Sequence, residues 1–408
     1  MKCIYLSLLL LFVSHSGHAI PDDSARKWLE DIDFYGEQIK AKHIRPFHTL
    51  SESVFDSMIV KLKVDLPSLS EAEVETRLMK ITSAIGDGHT NYALMSGPHK
   101  HYPLRFRFFE ERLMITASST KYSHLVGSEL ISINGAGVSE LYSLISDYLP
   151  SVDNQYSKKV RFEFYLTLEK LLRGLGITKE GQAATLITQK KGIDTSTEVT
   201  TVSMRKFSGV KSPFRVNIAN TKWVDIDLQG IDLGIINGNT AYFRFTRYPS
   251  KQDMTEKCSK IQRSLKTSEA SKLIVDFRGN GGGNLYSGLA FSECIEPLEQ
   301  FNWLNGAAIL IDSHTFSAAM VNTIHFKQFF NATVIGEPTG GDPNAFSEGF
   351  RFELPNSGRK VSVSIRYYSF LELESDAVYP DETVHTSWEN FQNGVDSVLL
   401  KALETLEE

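Results

Sequence analysis

The chain has 408 residues, 41% of them hydrophobic and 23% charged, with a formal net charge of −6 at pH 7. Both signs are interspersed along it, which leaves no basic stripe for nucleic acid and no polybasic patch for a membrane surface. The length exceeds what one hydrophobic core usually organises, so two or three domains, or one elaborated α/β domain, are expected.

The start, Met1-Lys2, an apolar run from Ile4 to Val13 and then Gly17-His18-Ala19, has the three zones of a signal peptide, with cleavage after Ala19. The run is too short to span a bilayer, which takes roughly 20 residues as a helix, and no later stretch is longer or more apolar. The expectation is an exported chain without a membrane span, periplasmic or secreted, with residues 1–19 removed. Cys3 precedes the apolar run, so it is not placed to carry a lipid anchor.

Residues 20–95 read as a helical lobe. Trp28, Ile32 and Tyr35 recur at helical spacing, as do Val54, Met58 and Leu62, and Ser70-Glu-Ala-Glu73 has the form of a capping box. The lobe ends at Gly86-Asp-Gly-His-Thr90, where two glycines break the helix before extended chain from Tyr92. Residues 96–230 are richer in strand signals, such as Leu104-Arg-Phe-Arg-Phe-Phe109 and Leu113-Met-Ile-Thr116, with a helix over 139–148.

From residue 231 to 408 the rhythm is strand, loop and helix. Lys272-Leu-Ile-Val-Asp-Phe277 runs into a glycine cluster, and Ala307-Ala-Ile-Leu-Ile311 leads to Ser317 at the head of a helix. Continuously apolar strands separated by helices predict a covered sheet, hence an α/β core. Cys258 and Cys294 fall on helices flanking the strand Leu273–Phe277. They either close a disulfide in an oxidising compartment or stand as two separate thiols, and neither has metal-site spacing.

Ser317 follows a buried strand and opens a helix, where free N–H groups and the helix dipole favour an oxyanion. Position alone favours an N-cap serine over a nucleophile. The loop Asp276-Phe-Arg-Gly-Asn-Gly-Gly-Gly283 lets backbone approach a substrate closely, and it has neither the GxxxxGK[ST] nor the GxGxxG pattern of a nucleotide loop. A serine needs a base. Of eleven histidines, His89 sits in a glycine-flanked break that exposes a ring, whereas His314 shares the serine's own loop, His325 lies inside the following helix and His385 follows a late turn.

Three blocks, Gly86-Asp-Gly-His-Thr90, Val275-Asp-Phe-Arg-Gly-Asn-Gly-Gly-Gly283, and Thr315-Phe-Ser-Ala-Ala319 with Gly336-Glu-Pro-Thr-Gly-Gly341, resemble in order and spacing the motifs of the tail-specific, or C-terminal processing, serine peptidases. Residues 230–390 carry most of the likeness. The lysine used by one branch of that family is replaced here by Asp342, so the resemblance points to the tricorn-core-like branch, whose serine is activated by a histidine and a glutamate.

That resemblance implies a crotonase-like (ClpP-like) α/β core, with Ser317 as nucleophile, His89 as base and Glu374, ahead of Pro380, as the supporting carboxylate. Glu372 competes for the last role. It implies an oxyanion hole from the N–H groups of Gly282 and Ala318, a peptide or protein substrate, and no metal or cofactor.

The block Val126–Gly135 resembles the second half of a PDZ domain without a clear carboxylate-binding loop. Interphotoreceptor retinoid-binding domains resemble the same family, so a catalytically silent retinoid- or lipid-binding module is the competing reading, and an esterase or amidase a third. A histidine base with an ordinary pKa predicts an acid limb at about pH 6 to 7.5.

Overall fold

A computed structural model of the chain describes residues 20–92, 99–216 and 218–407, so the expected signal peptide lies outside the described residues. The N-terminal lobe is three helices, α1 (Asp22–Lys42), α2 (Glu52–Asp65) and α3 (Glu71–Ser83). The expected capping box is present: the Ser70 hydroxyl accepts from the Glu73 N–H, and the Glu73 carboxylate accepts from the Ser70 N–H.

The next stretch contains β1 (Asn91–Tyr92), β2 (Lys100–His101), β3 (Leu104–Phe109), β4 (Arg112–Ser118), β5 (Glu129–Ile133) and β6 (Ala136–Gly137). Helices α4 (Val138–Ser146), α5 (Gln155–Tyr165) and α6 (Glu169–Gly174) follow, then β7 (Ala184–Lys190), β8 (Ile193–Val199), β9 (Val202–Ser203) and α7 (Met204–Ser208). The sheet of this region runs β3-β4-β5-β7-β8, with β6 beside β5. Helices α5 and α6 fall in the region that reads as rich in strand signals; the Tyr156, Val160, Phe162, Phe164 and Tyr165 side chains of α5 carry strand propensity. Here Asn154 settles the matter as an N-cap, its Oδ1 accepting from the N–H groups of Tyr156 and Ser157. The lobe and this region share one continuous core, in which Ile32, Leu78, Leu104, Ile115, Phe162 and Leu171 are all buried.

The α/β core contributes β10 (Thr221–Val224), β11 (Ile231–Ile236), β12 (Thr240–Phe245), α8 (Lys251–Lys266), β13 (Lys272–Asp276), α9 (Leu285–Ile295), β14 (Ala307–Ile311) and α10 (Ala318–Phe329). It continues with β15 (Thr333–Gly336), a hairpin of β16 (Phe346–Glu353) and β17 (Lys360–Tyr367), β18 (Glu382–Thr383), α11 (Trp388–Gln392) and α12 (Ser397–Thr405). Its sheet runs β10-β11-β12-β13-β14-β15-β18, parallel from β12 onward.

Every residue of β14 is buried because the sheet is covered on both faces. Ile309 and Ile311 pack with the side of Phe291 and Phe326, and Ala308 and Leu310 with Val398 and Leu399 of α12. Each of these Ile, Leu, Val and Phe side chains contributes about 1.5–3 kcal/mol on burial. Cys258 on α8 and Cys294 on α9 are joined as a disulfide.

The β16–β17 hairpin, which the sequence did not reveal, connects the two halves. β17 pairs with β1 immediately after the Gly86–Thr90 loop, Asn91 facing Ser362, and so carries the end of the helical lobe onto the core.

Candidate active site

The two loops bearing chemistry leave the C-terminal ends of neighbouring parallel strands β13 and β14, where ligands of open α/β sheets bind. They are stitched together: Gly279 N–H donates to Asp312 Oδ1 at 3.0 Å, Phe316 N–H to the Asn280 carbonyl at 3.0 Å, and Thr315 Oγ1 to the Phe277 carbonyl at 3.1 Å.

Ser317 occupies the residue before α10 with φ 50° and ψ −125°, a left-handed backbone that costs a β-carbon residue roughly 1–3 kcal/mol. Its hydroxyl caps nothing in the helix. The N-cap reading is thereby corrected: the strained backbone turns Oγ away from the helix, to 3.1 Å from His89 Nε2.

His89 comes to the serine across 228 positions of sequence. Its Nδ1 lies 3.1 Å from the Phe346 carbonyl of β16, which can only accept. The ring proton is thus on Nδ1, and Nε2 offers its lone pair to the Ser317 hydroxyl. Burial lowers the His89 pKa below its ordinary 6.5, while the Asp87 charge and the Phe346 hydrogen bond oppose it. The ring therefore stays neutral to lower pH than the sequence-based expectation of about 6 to 7.5.

Glu374 is not brought to this ring. It is exposed on the loop between β17 and β18, as is Glu372, and neither lines the cavity at Ser317. At Nδ1, where a supporting carboxylate would bind, the structure has the Phe346 carbonyl, because β16 runs alongside the imidazole.

The expected oxyanion pair is half formed. Ala318 N–H, at the first residue of α10, has no intrahelical acceptor. Gly282 N–H is instead engaged by Asn280 Oδ1 at 2.9 Å. Gly282 still lies against the nucleophile: a β-carbon on it would sit 2.7 Å from Ser317 Cβ and 3.0 Å from Ala318 N.

A cavity of about 410 Å³ opens on Ser317 and His89. Its walls include Met320, Phe346, Phe370 and the carboxyl side chains of Asp153, Asp342 and Glu348. Asp153, just before the Asn154 cap, rests its carboxyl on the Gly88 backbone, where a β-carbon would meet it at 2.3 Å. Burial, with Asp87 and Asp342 near, pushes Asp153 up to about 8. Asp342, where the resemblance would have a lysine, donates its own N–H to Asp153 Oδ2 at 3.3 Å.

The other histidines have separate partners. His314 faces Asp312, His325 meets Ser292 Oγ at 3.1 Å, and His385 meets Glu337 at 3.0 Å. Missed in the sequence were Asp153, the Phe346 carbonyl and Asp87. Only Asp87 had left a signal, as an Asx residue beside two helix-breaking glycines.

Residues 239–383 match the profile of peptidase family S41. No curated protein matches by sequence. Among solved structures, that of mature CPAF superposes with a TM-score of 0.66 at 14% identity, covering 94% of this chain and 97% of that one. Mature CPAF complexed with lactacystin gives 0.65 at 14% identity, covering 94% and 98%. At such identity these two likenesses speak for the fold along nearly the whole chain. Together with the family match on the strands that carry both loops, the C-terminal half is similar to peptidase family S41, and the chain as a whole shares the fold of mature CPAF.

Proposed function

We propose that the chain is an exported serine peptidase that cleaves peptide bonds through an acyl-enzyme on Ser317, with His89 as its base. The observation that carries this reading is the 3.1 Å approach of Ser317 Oγ to the unprotonated Nε2 of His89, made by a serine held in a strained backbone.

Oγ attacks the substrate carbonyl while its proton passes to Nε2. The tetrahedral oxyanion is received by the Ala318 N–H, and the Nδ1–H of the imidazolium stays on the Phe346 carbonyl. His89 then returns the proton to the leaving amine as the C–N bond breaks. Water, deprotonated by the same nitrogen, adds to the ester carbon; the bond to Ser317 Oγ breaks, Nε2 returns its proton to Oγ, and the acyl group leaves as a carboxylic acid that ionises in solvent. The absence of a lysine at Asp342 argues against a Ser/Lys dyad. Export is supported by the three zones of residues 1–19 and by the Cys258–Cys294 disulfide, since such bonds persist in oxidising compartments.

The test is labelling of the mature protein with a fluorophosphonate and mapping of the tagged peptide. Modification at Ser317, lost in Ser317→Ala together with hydrolysis of a casein substrate, is expected. An unmodified chain would favour a silent apolar-ligand module instead.

A further inference from the structure

The Asp87 carboxylate is a buried charge to which the reaction above assigns no role. Its side chain is 1% exposed and that of its partner His43 0%. Oδ1 accepts from the N–H of His89 at 2.9 Å, the N–H of Thr90 at 2.6 Å and the hydroxyl of Ser364 at 2.6 Å. Oδ2 accepts from His43 Nε2 at 2.8 Å. His43 Nδ1 in turn accepts the Arg45 N–H at 3.0 Å, which fixes the ring proton on Nε2, facing the carboxylate.

One side chain therefore ties together the end of α1, the loop carrying His89, and β17. β17 is paired to β16, whose Phe346 carbonyl holds His89 Nδ1. A buried charge with fewer partners would cost several kcal/mol. Burial works against the ionised form here as well, yet the hydrogen bonds from His43, Ser364 and Thr90 hold Asp87 down to about 2.

We propose that Asp87, clamped by His43, is the positioning carboxylate of the site: it fixes the backbone beneath His89 and supplies the negative charge against which the imidazolium forms. It rests on the reading of Ser317 and His89 as nucleophile and base. It takes the part that the resemblance gave to Glu374, acting through the loop rather than by contact with the ring.

Several titratable groups surround His89: Asp87 from its own loop, Arg161 from α5, and Asp153, Asp342 and Glu348, which line the same cavity. Of these, Arg161 works against the imidazolium and Asp87 in its favour. Removing the Asp87 charge leaves burial and Arg161 less opposed, so the base should become harder to protonate.

The experiment measures the fluorophosphonate labelling rate of the mature protein against pH, resolved into its maximal rate and half-saturating concentration. Asp87→Asn is expected to lower the maximal rate at least 10-fold, to change half-saturation less than threefold, and to move the acid limb to lower pH. Glu374→Gln should leave the limb in place. A purely structural aspartate would lower the melting temperature without moving the limb of the folded fraction.

Should Asp87→Asn fail to fold, the His43 pair decides. His43→Gln keeps a donor to Asp87 and should retain the native profile, whereas His43→Leu should reproduce the slow rate. An unmoved limb and a rate within twofold in Asp87→Asn, or equal rates for His43→Gln and His43→Leu, would overturn the assignment. A native chain that is not labelled at all would instead refute the nucleophile reading beneath it.

Discussion

Replacing Gly282 with alanine is the sharpest test of how closely the glycine loop backs the nucleophile. Gly282 has φ +98°, a conformation that a β-carbon residue holds only under strain. The new carbon would sit 2.7 Å from Ser317 Cβ, 2.8 Å from the Phe316 carbonyl oxygen and 3.0 Å from Ala318 N. Two of these three neighbours are backbone and the third is the root of the nucleophile, so no flexible side-chain end can yield. Reaching an ordinary C–C contact of roughly 3.5 Å needs a shift of about 0.8 Å.

Backbone strain of about 1–3 kcal/mol and overpacking of about 1–3 kcal/mol together predict a loss of about 2–6 kcal/mol. A displacement near 1 Å at a reacting group costs roughly 100-fold in rate. Gly281→Ala is the control, since a β-carbon there meets nothing within 4 Å and its φ is not positive. Denaturant melts and fluorophosphonate labelling rates, measured on both variants, should show Gly281→Ala near native and Gly282→Ala impaired in both. Labelling of Gly282→Ala at the native rate would refute the close approach.

The acid limb of kcat/KM should lie below pH 6.5, because burial keeps His89 neutral to lower pH; a limb above 7 in a pH–rate profile would contradict the buried setting. Asp153, raised to about 8 from 3.8, contributes stability that is fully present below pH 3.8 and lost as pH rises through 8. Asp153→Asn should therefore gain melting temperature relative to the native chain from pH 5 to 8 and hold that gain above it; a pH-independent difference would exclude the titration. Reduction of Cys258–Cys294, which closes a separation of 36 residues, should cost about 3–4 kcal/mol, and thiol titration of denatured, unreduced protein should find no free thiol at either position.

Much of this protein is written locally. The helical lobe follows from apolar spacing and the Ser70–Glu73 cap, and the strands Lys272–Asp276 and Ala307–Ile311 from continuous apolar runs, because both signals depend only on near neighbours. Ser317 and His89 were named by the motif resemblance; a helix start after a buried strand and a glycine-broken helix end by themselves mark an N-cap serine and a structural histidine more often than a nucleophile and its base.

What surrounds the base was not legible. The acceptor at His89 Nδ1 is a backbone carbonyl, Phe346, 257 positions away, and a carbonyl carries no residue-type signal. The β16–β17 hairpin that delivers it pairs with β1 across more than 260 residues, as Asn91 with Ser362, a register set by packing of the two halves and not by either segment. Glu374 and Gly282 show the same limit. Motif position named them, but the exposed course of one loop and the Asn280 hydrogen bond in the other decided where a carboxylate and an N–H point. The sequence determined which chemical groups are present and which local turns expose them; only the tertiary structure, by joining Asp87, His43 and Ser364 from three distant elements, decided which charge supports the base.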